Sequence, residues 1–296
     1  MPTLSTVEAD ALELEALLPE APADDVPLYD SDRRLPAALE ELVGLYRFRD
    51  LVLQLIRCDV VSRYKRSYLG VVWTLLNPLG TTLVLVIALG AAFGTSRPEY
   101  AVHAMTGLMV WNFLASGTVN AIGKLLTGSR QMPGVNVPRT VYAAAAIGTA
   151  LVNLVLATVP VALLVLAVGA HFGPGLATLP VAIVLLGLFG LGVSLLVSSV
   201  SVRFADVAQT FVLALPAWMY LTPIIYPASV LPAAARTWLP VLNPLCPLVE
   251  LYRAPFTAAG VASVDTFALA TLGTAITLLA GWLAFAARTD ELGRIA

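Results

Sequence analysis

The sequence predicts an all-α membrane protein with six transmembrane helices, an N-terminal amphipathic interface helix and both termini in the cytoplasm. Short re-entrant helices are expected between helices 5 and 6. Three observations carry this. Of 296 residues, 58% are hydrophobic and only 12% charged, against roughly 45–50% and 25% in soluble domains. A soluble domain of this size has no room to bury so much apolar surface. The apolar residues also gather into six runs that approach the ~20 positions a bilayer requires. Finally, the cations crowd onto one set of flanks, so the net charge of -2 hides a strong segregation.

Residues 1–34 are acidic, with nine acidic side chains and no basic one before Arg33. They read as a disordered cytosolic tail, with a short docking helix over Val7–Leu18 as the alternative. No positive n-region precedes an apolar run, so no signal peptide is expected. Residues 35–66 form the interface helix. Leu39, Leu42, Val43, Tyr46, Val52, Leu53 and Ile56 recur at three- and four-residue steps, giving one amphipathic helix or two joined near Arg49. Residues 67–296 form the transmembrane domain.

Its six spans are expected at 71–93, 104–126, 140–168, 177–200, 207–226 and 265–287. Pro78, Pro160 and Pro216 interrupt three of them, which neighbouring helices or water can tolerate. The fifth is the shortest and is expected to turn at Thr222-Pro223. The stretch 227–264 is too apolar and proline-rich for an ordinary loop and reads as two short helices dipping into the outer leaflet. With the N-terminus inside, fourteen of the seventeen Lys and Arg residues fall on the cytoplasmic side, leaving Arg97, Arg236 and Arg253 outside. Small residues four apart, such as Gly190, Ser194 and Ser198, mark faces where helices pack closely. Cys58 and Cys246 fall on opposite membrane faces, so no disulfide is expected.

The interiors of the six spans hold essentially no Asp, Glu, Lys, Arg or His. Ion-coupled transporters need such groups at membrane depth. There is no phosphate-binding loop either: the closest string, Gly117 to Lys124, has one residue too many between its glycines and lacks Ser or Thr after the Lys. His103 and His171 make no metal site, and no nucleophile–base grouping or carboxylate pair is present. The chain is expected to be neither a catalyst nor a cofactor binder, and to depend on a separate energy source. No nucleic-acid-binding pattern is found.

The segment Arg49 to Pro78 steps abruptly from basic to apolar, with no charge from Ser67 to Ser96. Its cations fit the headgroup level, and Asp59 sits four residues before Arg63, the favourable order for a helical ion pair. Physics alone leaves two readings level: a plain basic anchor, or something more specific. The wording favours the second. Arg49-Asp50-Leu51, Asp59, Arg63-Tyr64-Lys65, Ser67, Leu69-Gly70, Trp73 and Pro78 resemble the opening motif of one family. It is the permease subunit of ABC transporters that export polysaccharides such as O-antigen, capsule, teichoic acid and related cell-wall glycans. Cys58 replaces a usual basic residue and Asn77 a frequent Gln. A second motif is similar at Asn243-Pro244-Leu245, Pro247-Leu248 and Tyr252-Arg253.

The resemblance implies a multi-pass protein of the bacterial cytoplasmic (inner) membrane. It implies a homodimer working with two copies of an ABC ATPase subunit, where ATP and Mg would bind. Lipid-linked polysaccharide is the implied cargo, with membrane lipids around the chain. Arg49, Asp59, Arg63, Tyr64 and Lys65 would form an interface or gate. Asn243, Pro244, Pro247, Tyr252 and Arg253 would form the re-entrant motif. Arg130, Arg139, Arg203 and Asp206 would receive force from the ATPase, although Val137 and Ala205 depart from the family's aromatic and second Arg.

A glycan needs ring faces for its C–H surfaces and polar groups for its hydroxyls. Trp73, Asn77, Trp111, Asn112, Trp218, Tyr220 and Tyr226 are the channel-lining candidates. Singly, each ring is better explained by an interfacial belt or by packing. Together with Asn residues that are unfavourable facing lipid, they compose a polar–aromatic path. Two other readings remain: an ABC permease for lipids or drugs, and a membrane-embedded glycosyltransferase, for which Asp59 and Asp206 are the only acids in place.

Overall fold

In the computed structural model the described residues are 37–64, 70–93, 96–127, 137–169, 172–204, 206–257 and 260–288. The chain divides into two units, Met1–Leu35 and Pro36–Ala296. The first, and with it the expected acidic tail, lies outside the described residues.

The described residues of the second unit form ten α-helices, three short 3-10 turns and no strand. In chain order these are α1 (Ala37–Arg47), α2 (Arg49–Tyr64), α3 (Gly70–Leu89), α4 (Arg97–Thr127), α5 (Arg139–Ala167), α6 (Leu179–Ser201), α7 (Asp206–Leu221), α8 (Ala233–Leu242), α9 (Leu245–Arg253) and α10 (Val264–Ala286). The expected interface helix is therefore two helices, parted at Phe48. In α1, Glu40 lies in the first turn and Arg47 in the last, matching the ends of the helix dipole.

Among the described residues, three helices are long and apolar enough to cross a membrane: α5, α6 with the 3-10 turn leading into it from Pro174, and α10. The other three expected spans map onto α3, α4 and α7. Within α3 only Pro78–Leu89 forms a described apolar stretch. Helix α4 has 31 residues, but Arg97, Glu99, His103, Asn112, Asn120 and Lys124 dilute its apolar character. Helix α7 has 16 residues, short of the ~20 that a crossing takes.

The core lies between α4, α5 and α6, where Met105, Leu114, Val161, Leu186, Phe189 and Leu195 are almost wholly buried. Helices α6 and α10 approach most closely. A Cβ on Gly192 would come within 2.7 Å of the Leu278 Cα, and one on Gly281 would overlap the Gly192 carbonyl oxygen. Glycine is what lets these two backbones touch. Hydroxyls inside the bundle turn back on their own helices: Thr118 donates to the Leu114 carbonyl at 2.6 Å, Ser194 to Gly190 at 2.7 Å and Thr277 to Gly273 at 2.8 Å. Such local bonds satisfy a polar group where water is scarce. Outward, Ile87, Leu163, Leu213, Leu272 and Leu279 are exposed. An apolar exterior around an apolar core is the surface of a chain solvated by lipid.

The bundle has two distinct ends. At one, α1 meets α5 and α10: Thr140 donates to Glu41 at 2.6 Å and the Trp282 indole to the Ala38 carbonyl at 3.0 Å. Arg288, just past α10, donates to the Ser199 carbonyl near the end of α6 at 2.9 Å. At the other end, Gly173 and Gly175 bond to the carbonyls of Pro255 and Gly260, and the segment 227–257 packs beneath His103.

Candidate functional site

Polar side chains gather at each end. The first cluster begins with α2, whose Ile56 lies against α5 so closely that a Cβ on Gly148 would strike its Cδ1. That seating carries Asp59, three residues further along α2, to the end of α4. Its carboxylate Oδ2 meets the Lys124 ammonium at 2.5 Å and accepts a longer bond, 3.4 Å, from the Thr149 hydroxyl of α5. Around the pair is a pocket of about 370 Å³ lined by Asp59, Ser62, Asn120, Lys124 and Thr149, with the methyls of Ala146 and Ala150 as an apolar wall. The lysine and carboxylate side chains keep 27% and 38% of their accessible surface, so the pair is reachable rather than sealed.

Near it, Glu41 of α1 is only 6% exposed. Burial raises its carboxyl above the ordinary value, while the bond from Thr140 pulls it back down. Neither Glu41 nor Thr140 stands out in the sequence, and Thr149, four residues after Ala145, reads only as a small residue of a packing face. Glu41 hides in an amphipathic pattern where an acid reads as solvated. Lys124 was visible as the lone cation at the end of the second span, but its partner was not.

The second cluster is at the opposite end. Asn243, nearly buried between α8 and α9, accepts from the Trp218 indole N–H at 3.0 Å and from the Leu245 amide at 3.2 Å. Its own amide donates to the Thr222 hydroxyl at 2.9 Å. The adjoining Pro244 precedes α9, and Pro247 is buried inside its first turn. Tyr252 shares a hydrogen bond with Thr158 of α5 at 2.9 Å. Arg253, also buried, donates from Nε to Thr106 at 3.2 Å and from Nη2 to the carbonyls of His103 and Pro223 at 3.3 and 3.2 Å. A planar fork satisfied by three neutral acceptors ties α9 to α4 and to the turn after α7. The motif Asn243 to Arg253 thus anchors three groups of bonds, at Asn243, Tyr252 and Arg253; Thr106 is a member that sequence reasoning missed, while Thr222 was in view only as the turn after the fifth span.

The aromatic candidates divide. Trp111 is buried and meets Trp218 edge-on with ring centroids 6.5 Å apart, and Trp218 meets Phe189 in the same manner at 6.2 Å. Asn112 and Tyr220 are exposed, and the half-buried Tyr226 donates to the Tyr220 carbonyl at 3.0 Å. Lys65 and Arg130 lie outside the described residues, as do the side chains of Arg63, Tyr64, Trp73 and Asn77. Arg49 is exposed, its guanidinium 4.8 Å from the Tyr46 ring centroid. Arg139 is half-buried at the start of α5, and Arg203 and Asp206 are exposed where α6 passes into α7. No group of three or more metal-ligating side chains occurs among the described residues.

The sequence profile described as "ABC-2 type transporter" matches residues 50–257. Among similar proteins is the O-antigen export system permease protein RfbA of Myxococcus xanthus, 26% identical over 213 residues, covering 72% of this chain and 82% of that protein. Two proteins of the same description from Klebsiella pneumoniae are each 26% identical, over 226 and 212 residues. They cover 69% and 70% of this chain, and 79% and 80% of their own lengths. With the profile spanning well over half of the chain, from α2 to the end of the Asn243–Arg253 segment, the protein belongs to the ABC-2 type transporter family.

Proposed function

We propose that this chain is the transmembrane subunit of an ATP-driven exporter that moves a lipid-linked polysaccharide across the bacterial cytoplasmic membrane. The observation that carries the reading is that the interiors of the long helices hold no Asp, Glu, Lys, Arg or His. Between His103 and Lys124, α4 holds no such residue; α5 has none after Arg139, α6 none at all and α10 none after Asp265. Transport by such a chain draws on work done elsewhere, here by a separate ATPase subunit that binds ATP and Mg. The relatives' description as O-antigen export permeases supports a glycan as cargo.

In this reading six spans cross the bilayer, with α3, α4 and α7 joining the three apolar helices. The end holding Glu41, Asp59, Lys124, Arg139, Arg203 and Arg288 faces the cytoplasm, as the excess of cations there favours. Helices α8 and α9 enter the outer leaflet from the far side. Two copies of the chain enclose the path, since one bundle packed around Trp111, Phe189 and Trp218 leaves little space for a sugar chain. Arg139, Arg203 and Asp206 lie on the surface that would receive the ATPase. Removing the gene tests the reading: glycan should disappear from the cell surface while its lipid-linked form accumulates inside, identified by mass analysis of lipid extracts. A deletion strain with unchanged surface glycan and no accumulated intermediate overturns it.

A further inference from the structure

We infer that the pocket between α2, α4 and α5 is a binding site for one neutral sugar ring, an inference that rests on the proposed function and assigns its cargo a first point of contact. The pocket's volume of about 370 Å³ falls within the range of small-ligand sites. Its chemistry is more selective than its size. Asp59 Oδ2 is engaged by Lys124 and Thr149, while Oδ1 accepts nothing from the described residues. Among the described residues the Lys124 ammonium bonds only to Asp59, which leaves two N–H donors. Ser62 gives its proton to the Asp59 carbonyl and keeps its lone pairs. The Asn120 carboxamide has no partner among the described residues. Donors and acceptors are thus both open, within one pocket.

This mixture decides the class of ligand. A phosphate or carboxylate accepts but does not donate, and would lie against the Asp59 carboxylate. An ammonium headgroup would lie against Lys124. A hydroxyl both donates and accepts, and several on one rigid ring can meet Asp59, Lys124, Asn120 and Ser62 together. The methyls of Ala146 and Ala150 offer the flat apolar wall that the C–H face of a sugar ring covers. The pocket also opens at the end rich in cations, the side from which a glycan made in the cytoplasm arrives.

Saturation-transfer NMR on the full chain in lipid nanodiscs tests this. The probes are the neutral methyl glycosides of glucose, galactose, mannose, rhamnose and N-acetylglucosamine, with inorganic phosphate and choline as competitors. At least one glycoside should receive saturation. Asn120→Ala and Ser62→Ala, both on exposed positions, should each weaken its binding about fivefold, as loss of one hydrogen bond does, without lowering the unfolding temperature. Phosphate and choline should not displace it. Absence of transfer to every glycoside, transfer indifferent to both substitutions, or displacement by phosphate or choline each overturns the site. The surface-glycan assay is independent: a chain that exports glycan but fails here loses the pocket alone, whereas unchanged surface glycan in the deletion strain removes the exporter whatever the glycosides do.

Discussion

Asp59 of α2 and Lys124 in the last turn of α4 form an ion pair at 2.5 Å across 65 positions of sequence. The pair, with Thr149 of α5 alongside, fastens the amphipathic N-terminal helix to two helices of the bundle. Both side chains retain contact with solvent, which limits what the attraction is worth: exposed pairs contribute roughly 0.2–1 kcal/mol. A double-mutant cycle on Asp59→Ala and Lys124→Ala, read by thermal unfolding, should return a coupling in that range. The geometric effect should be larger than the energetic one, with either single substitution increasing protease cleavage within α2. Cleavage equal to that of the unmutated chain would show that α2 is held by apolar packing such as Ile56 on Gly148, and not by the pair.

Helices α6 and α10 give a sharper test, because backbone atoms cannot step aside. Gly192→Ala would place a methyl 2.7 Å from the Leu278 Cα, and Gly281→Ala would drive one into the Gly192 carbonyl. Each should destabilise by about 1–3 kcal/mol through forced separation of the two helices. Gly80 and Gly123 have nothing within 4 Å of an added Cβ, so the same change there should alter stability by less than about 1 kcal/mol. Unfolding temperatures of the four variants in one detergent decide it; equal effects at all four would mean that α6 and α10 do not touch as described.

How much of this was legible depended on whether the signal was local. Helices α5, α6 and α10 fall within two residues of the expected 140–168, 177–200 and 265–287, because uninterrupted apolarity is itself the signal. Helix α4 begins seven residues before the expected 104. Its first turn is Arg97-Pro98-Glu99, a good helix start that a search for apolar residues passes over. Helix α7 stops at Leu221, short of 226 and at the turn expected at Thr222-Pro223, since Pro223 disfavours helical backbone at Thr222. Side-chain pairing was hardest to read. Spacing offered Arg63, whose side chain lies outside the described residues, as a partner of Asp59; the described partner is Lys124, which only the fold brings near. The Asn243–Arg253 motif was visible as a string, but not its bonds to Thr106, Trp218 and Thr222.

Asn243 holds two of those bonds, to Trp218 and Thr222, and a third from the Leu245 amide, so its loss should exceed that of any single partner. Asn243→Ala strands the Trp218 indole N–H and the Leu245 amide, each of which carries a penalty of about 1–3 kcal/mol if left buried and unmet. Trp218→Phe removes the donor together with its bond and leaves Asn243 still bonded to Leu245 and Thr222. Thermal unfolding should rank Asn243→Ala as the more damaging of the two. Tryptophan emission of Asn243→Ala should also shift as the Trp218 indole loses its acceptor. An inverted ranking would place the stability in the edge-on contacts of Trp218 with Trp111 and Phe189 instead.

Glu41 makes the chain's stability depend on pH in a direction opposite to that of most carboxylates. Its carboxyl is raised from the usual 4.5, with burial as the main cause and Glu40 adding repulsion, while Thr140 and Arg139 oppose the rise. The folded chain therefore keeps this proton at pH values where the unfolded chain has released it. Where the native state binds more protons, stability falls as pH increases. The penalty is absent below the unfolded value, grows through the window up to the raised one, and stays in full above it. Glu41→Gln keeps an oxygen to accept from Thr140 and removes the titration. The variant should thus unfold at a higher temperature than the unmutated chain at mildly alkaline pH, and the advantage should shrink on acidification. If the advantage instead grew on acidification, attraction between Glu41 and Arg139 would outweigh the loss of hydration, and α1 would be held to α5 by charge.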